Sequence, residues 1–136
     1  MLSSYNSTTQ TVETGSAYLF DTNRISTGCT VGHELGTGTF VLNRPGFYYV
    51  SFNTTFTTET TGIATVELRN GTTTIPGALG SETITTAGDT KSVSFAAIVK
   101  VLPSCPAVNN ATTLTFVATG IDLTVSTAVV NITKLC

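Results

Sequence analysis

The stretch 37–58 limits what this chain can fold into more than any other: Thr-Gly-Thr-Phe-Val-Leu-Asn-Arg-Pro-Gly-Phe-Tyr-Tyr-Val-Ser-Phe-Asn-Thr-Thr-Phe-Thr-Thr. Its β-branched and aromatic residues suit a pleated, half-buried surface, and Arg44-Pro45-Gly46 interrupts the run. The spacing predicts a short strand over Thr39–Asn43, a turn, and a long strand over Phe47–Thr58, together a β-hairpin. Successive side chains of a strand point to opposite faces. Tyr48, Val50, Phe52 and Phe56 then make a core row, while Phe47, Tyr49, Ser51, Asn53, Thr55 and Thr57 face the other way and pass from aromatic to polar.

The rest of the chain carries the same alternation. Residues 1–10 read as a polar arm, ordered only when something grips it, and 11–136 as the folded domain. Thr11–Glu13 and Ser16–Phe20 form a first strand in two parts around Gly15, and Asp21–Gly36 reads as a loop with a short strand near Thr30. Ile63–Arg69 leads through Asn70-Gly71, a preferred hairpin turn, into Thr72–Ile75, which Pro76-Gly77 interrupts before Ala78–Thr86. Lys91–Leu102, Thr112–Thr119 and Leu123–Leu135 complete the set. The last of these is apolar on both faces, with Leu123, Val125 and Val129 alternating against Ala128, Val130 and Ile132, so it is expected to be central in its sheet and covered on its outer side.

Composition narrows the function. A chain of 136 residues is one domain that buries roughly two thirds of its unfolded surface. Charged residues are 10%, the formal net charge is −2 and the mean hydropathy is +0.27, so Thr, Ser and Asn must supply the polar surface and another subunit is expected over part of it. Six scattered Lys and Arg argue against nucleic acid, and no apolar run approaches the ~20 residues of a membrane helix. The first residues, Met1 to Asn6, lack the charged and apolar regions of a secretory signal.

Strands at short intervals without helical periodicity specify an all-β sandwich or jelly roll. Phe40, Gly46, Tyr48 and Val50 resemble the signature of the complement first-component globular heads, in the larger tumour-necrosis-factor-like superfamily, with Val50 where those heads usually carry Phe. The same motif occurs in terminal domains of collagen-like spore-surface proteins. Phe-Tyr-Tyr-Val-Ser-Phe-Asn, Ile-Pro-Gly-Ala, Val-Leu-Pro-Ser-Cys-Pro and Lys-Leu-Cys are similar to runs in small proteins of intestinal Gram-positive bacteria and their prophages.

The resemblance implies a two-sheet jelly-roll sandwich forming a homotrimer, with the sheet of the first, long and last strands toward the three-fold axis. Phe47, Tyr49, Ile98, Ala128, Val130 and Ile132 are the apolar positions left for such an interface. In a jelly roll the strands before Cys105 and Cys136 run the same way with one strand position between them, so a disulfide is one reading and free thiols the other, with Cys29 alone.

Chemistry-bearing groups are sparse. His33 is the one histidine, expected as a surface residue, or as a metal or anion ligand should three copies meet on an axis. Glu13, Asp21, Glu34, Glu59, Glu67, Glu82, Asp89 and Asp122 share no motif, and neither a nucleophile elbow nor a phosphate loop occurs. The reading is therefore no enzyme, no cofactor and no metal. The Asn-x-Ser/Thr triplets are incidental in a Thr-rich chain.

The expected function is a trimeric structural and adhesion module of a phage particle or a bacterial, including spore, surface. It would join a larger assembly through the N-terminal arm and present the loops of Glu59, Thr60 and Thr61 and of Asn70, Gly71 and Thr72 at one end. The alternative is a lectin-like module holding a glycan, with Tyr5 and Tyr18 as the stacking aromatics.

Overall fold

Alternating apolar and hydroxyl side chains build strands throughout the computed structural model, which describes residues 1–102 and 112–135. The strands are β1 (Leu2–Tyr5), β2 (Gln10–Val12), β3 (Thr22–Ser26), β4 (Val31–His33), β5 (Phe40–Leu42), β6 (Gly46–Thr57), β7 (Gly62–Asn70), β8 (Thr73–Ile84), β9 (Thr90–Val101), β10 (Thr112–Thr119) and β11 (Leu123–Lys134). They make two antiparallel sheets. The first has the order β3-β1-β11-β6-β9 with β2 also on β11, and the second β4-β5-β10-β7-β8. This is the two-sheet all-β sandwich expected from the alternation.

The long strand is the spine of the first sheet. Tyr48, Val50, Phe52 and Phe56 point into the sandwich and are buried, as the period of two requires. Phe52 stacks on Phe116 of the opposite sheet at 4.7 Å between ring centroids, and Tyr18 meets its edge at 5.3 Å. Phe20, Phe40 and Phe95 extend this aromatic cluster, which ties the sheets together.

Two local readings change. The expected hairpin around Arg44-Pro45-Gly46 is a crossing instead: β5 pairs with β4 and β10 in one sheet, and β6 with β9 and β11 in the other. Pro45 has no N–H to offer a ladder, and the Tyr48 hydroxyl donates to the Arg44 carbonyl at 2.7 Å to hold the bend. The hairpin after β7 does form, but one residue later than expected: Asn70 ends the strand opposite Thr73, and Gly71, at φ +61°, and Thr72 make the loop. Pro76-Gly77 does not end β8, an edge strand. Its register jumps from Thr74 to Leu79, so the interruption is absorbed where no second ladder needs it.

The final strand departs most from expectation. Its ladder with β6 shifts register between Val125 and Thr127, and the extra residue rotates everything beyond it by one position. Leu123 and Val125 before the bulge, and Ala128, Val130 and Ile132 after it, consequently all face the sandwich core and are buried. The strand has one apolar face, not two. Thr54, itself buried, secures the bulge: its Oγ1 donates to the Thr127 carbonyl at 3.0 Å and lies 3.3 Å from the Tyr18 hydroxyl. Burial around Tyr18 pushes its phenol up to about 12, against the opposing effect of the Thr54 hydrogen bond.

The N-terminal residues are not a free arm. Leu2–Tyr5 is a strand between β11 and β3, with Leu2 opposite Ile132 and buried in the core. The chain grips itself. Beyond β1, Asp21 fastens the connection: Ser7 donates to it from its backbone N–H (2.9 Å) and its hydroxyl (2.8 Å), and Thr22 from its hydroxyl (2.9 Å). These hydrogen bonds, the Ser7 backbone first, lower the Asp21 pKa from the ordinary carboxylate value.

Thr54→Val keeps the volume but removes the hydroxyl that serves the bulge, and should cost about 1–3 kcal/mol in urea unfolding. Thr55→Val, on the outer face one residue on, should stay within about 0.5 kcal/mol. Because the folded pKa of Asp21 lies below its unfolded value, its contribution is present above the unfolded value and lost as pH falls through the folded one. Asp21→Asn should therefore lower the denaturation midpoint at neutral pH and converge with the parent in acid.

Candidate interaction face

The outer face of the first sheet is graded along its length. Register across β11, β6 and β9 sets Thr133, Tyr49 and Ile98 in one row, then Asn131, Ser51 and Ala96, then Val129, Asn53 and Ser94, then Thr127, Thr55 and Ser92. Phe47, opposite Lys100, stands above the first row. Large apolar groups thus occupy one end, small groups the middle and hydroxyls the other end.

Phe47, Tyr49 and Ile98 are 45%, 44% and 61% exposed, as the leftover apolar residues of the alternation are expected to be. The Lys100 ammonium sits 5.7 Å from the Phe47 ring centroid, a cation–π contact that leaves the strip bordered by positive charge. Ser51, Asn53, Ser94 and Ala96 are short, and with Val129 and Asn131 they line a depression of about 560 Å³ in the middle of the face.

Beside it, a crevice of about 400 Å³ is lined by Tyr5, Asn6, Arg24, Thr127, Ala128 and Val129. Arg24 Nη2 donates to Ser3 Oγ at 3.1 Å, and its guanidinium carbon lies 5.9 Å from the Tyr5 ring centroid. Sequence reasoning passes over Arg24, because a lone arginine in a stretch read as loop carries no pattern. Only β3 pairing with β1 brings it beside Tyr5.

Ala128, Val130 and Ile132 do not belong to the outer face. The β11 bulge turns their side chains inward, and all three are buried within the chain's own core. The two loop sets expected to act together stand at opposite ends of β7: Glu59, Thr60 and Thr61 precede it, and Asn70, Gly71 and Thr72 close the turn after it. At about 3.3 Å per residue the strand separates them by about 30 Å, so one ligand at one end cannot meet both.

His33 is committed inside the domain. Its ring stacks on Phe40 at 4.4 Å, Nδ1 lies 2.7 Å from Asn23 Oδ1 and Nε2 lies 2.9 Å from the Thr37 carbonyl. Asn23 Nδ2 donates to the His33 carbonyl at 3.3 Å, which turns its oxygen toward the ring. Both ring nitrogens are thus occupied and unavailable to copies on an axis. Tyr18 is wholly buried and cannot stack on a sugar, whereas Tyr5 reaches the outer face. Among the described residues no three His, Cys, Asp or Glu gather as metal ligands. Cys29 is exposed, and Cys105 and Cys136 lie outside the described residues.

No protein-family model matches this sequence, and no curated protein matches it. Solved structures do. Eiger TNF from S. frugiperda superposes with a TM-score of 0.69 at 11% identity, covering 99% of this chain and 92% of that one. The fold is a tumour-necrosis-factor-like jelly roll. Murine APRIL at pH 5.0 gives a TM-score of 0.68 at 10% identity over 98% of both chains. The PRD1 vertex protein P5 gives 0.53 at 12% identity over 99% of this chain and 96% of that one. These three proteins share the jelly roll with this chain, and at these identities the likeness concerns the fold. No helix of the described residues is long and apolar enough to cross a membrane.

Proposed function

We propose that the chain is a non-enzymatic structural module that assembles as a homotrimer on a virion or other extracellular surface. The observation that carries the reading is the strip of Phe47, Tyr49 and Ile98, aligned on adjacent strands of one sheet and about half exposed in the single chain. A neighbouring copy seated on this strip removes apolar surface worth ~25 cal/mol per Å² from water. The short side chains of the next rows let that copy approach closely.

Likeness to the PRD1 vertex protein P5 supports the virion setting, and likeness to Eiger TNF supports an extracellular one. Attachment to a larger assembly falls to the end of the sandwich where Met1, Leu102 and Leu135 are exposed, since β1 is held within the sheet. The Glu59–Thr61 loop, at the opposite end from these residues, then faces outward, and the Asn70–Thr72 turn, at the same end as them, does not.

Strand register also supports a disulfide between Cys105 and Cys136. Val101 and Lys134, the described strand ends before them, pair with Gly46 and Tyr48 on the two sides of β6. Two strand spacings of about 4.8 Å and a two-residue offset along β6 separate their backbones.

Light scattering on the purified chain should give three chains per particle at micromolar concentration. Tyr49→Glu and Ile98→Glu should shift it to a monomer that keeps its β-sheet circular dichroism. A parent that is monomeric at that concentration overturns the reading. Tryptic cleavage after Lys100 and Lys134 under non-reducing conditions should leave the fragment 101–134 joined to the dipeptide 135–136. Complete alkylation of all three cysteines without reductant removes the disulfide.

A further inference from the structure

Arg24 is held in place yet has no anionic partner among the described residues. One of its five N–H donors goes to Ser3 Oγ at 3.1 Å, and its guanidinium leans on the Tyr5 ring at 5.9 Å. The ion pair formed among the described residues is Arg69 with Glu67, away from this position. Tethering by Ser3 and Tyr5 removes part of the rotamer freedom that an arginine loses on binding.

The crevice beside it is open to solvent on one side. Its volume of about 400 Å³ lies within the usual range of roughly 300–1,000 Å³. Val129 and the Tyr5 ring supply apolar walls, Thr127 supplies a hydroxyl, and Asn6, whose Nδ2 donates to the Thr8 carbonyl, supplies an amide oxygen. Arg24 is the single charged residue in the lining.

We propose that this crevice binds a carboxylate-bearing saccharide, with Arg24 taking the carboxylate and Asn6 and Thr127 the hydroxyls. A planar guanidinium matches a carboxylate through two parallel N–H bonds. One positive charge balances one negative charge, so a monoanionic sugar acid fits better than a dianionic phosphate, which would call for a second cation. The hydroxyl-rich ring suits walls that are half apolar and half hydrogen-bonding. The crevice lies on the same face as the apolar strip and shares Val129 with the depression beside it, so the proposal requires that a copy seated on the strip leave Tyr5, Arg24 and Thr127 open.

The test is an amide chemical-shift titration of the full chain in its native assembly, using D-glucuronate and the methyl glycoside of N-acetylneuraminic acid as probes. D-glucose and inorganic phosphate serve as comparisons. Glucuronate or the sialoside at millimolar concentration should move the amides of Tyr5, Thr127 and Val129. Glucose and phosphate should bind at least about tenfold more weakly. Arg24→Gln should abolish the preference for the acid without changing the thermal transition, Arg24→Lys should retain part of it, and Arg69→Gln should leave it intact. The proposal is overturned by any of three results: no shifts at these amides, which includes a crevice already filled by a second copy; equal binding of glucose or phosphate; or an Arg24→Gln variant that binds like the parent.

Discussion

The Thr54 hydroxyl holds the Thr127 carbonyl where β11 carries its extra residue, and the placement of every apolar side chain in that strand follows from this bulge. Without it, Ala128, Val130 and Ile132 would project from the outer face while Val129 entered the core. A one-residue slip inverts a strand because the side-chain period is two. Here the slip is built in, and it lets a sequence apolar at both parities serve a sheet with one buried face. The Ser126 hydroxyl, donating to the Thr55 carbonyl at 3.0 Å, fastens the same irregularity from outside.

With those residues withdrawn, the outer face keeps a short apolar strip and an extended surface of Ser, Thr and Asn. That division explains how a chain with so few charges presents a polar outer surface. Hydroxyl and amide groups cover most of what charge covers elsewhere, and Phe47, Tyr49 and Ile98 are left as an exposed apolar strip. The polar groups closed inside the sandwich are satisfied, with no unpartnered buried side-chain N or O among the described residues.

Legibility in the sequence tracked locality. The inward row of β6 and those of β7, β9 and β10 were readable because strict alternation reports the face directly. The strip on β6 and β9 was readable as what alternation left over. The β11 face was not, because a bulge is invisible to a rule that counts every second residue. Ser3 and Ser4 look like solvent-facing residues, yet both are buried, and Ser4 does so by donating to the Thr22 carbonyl at 3.0 Å, a partner eighteen residues away. Pro45 announced a break, but nothing local says whether the chain returns in the same sheet or crosses to the other. Arg24 acquired meaning only when β3 lay beside β1.

The order of strands in the first sheet bears on how the protein is made. β11 lies between β1 and β6, so the segment that leaves the ribosome after all the other strands occupies the middle of the sheet. Until it arrives, the β1–β3 pair has no further neighbour to join and β6 presents an open edge. Assembly of this sheet therefore waits for β11 and is governed by distant pairings, which makes folding slow and exposes unpaired edges to aggregation until then.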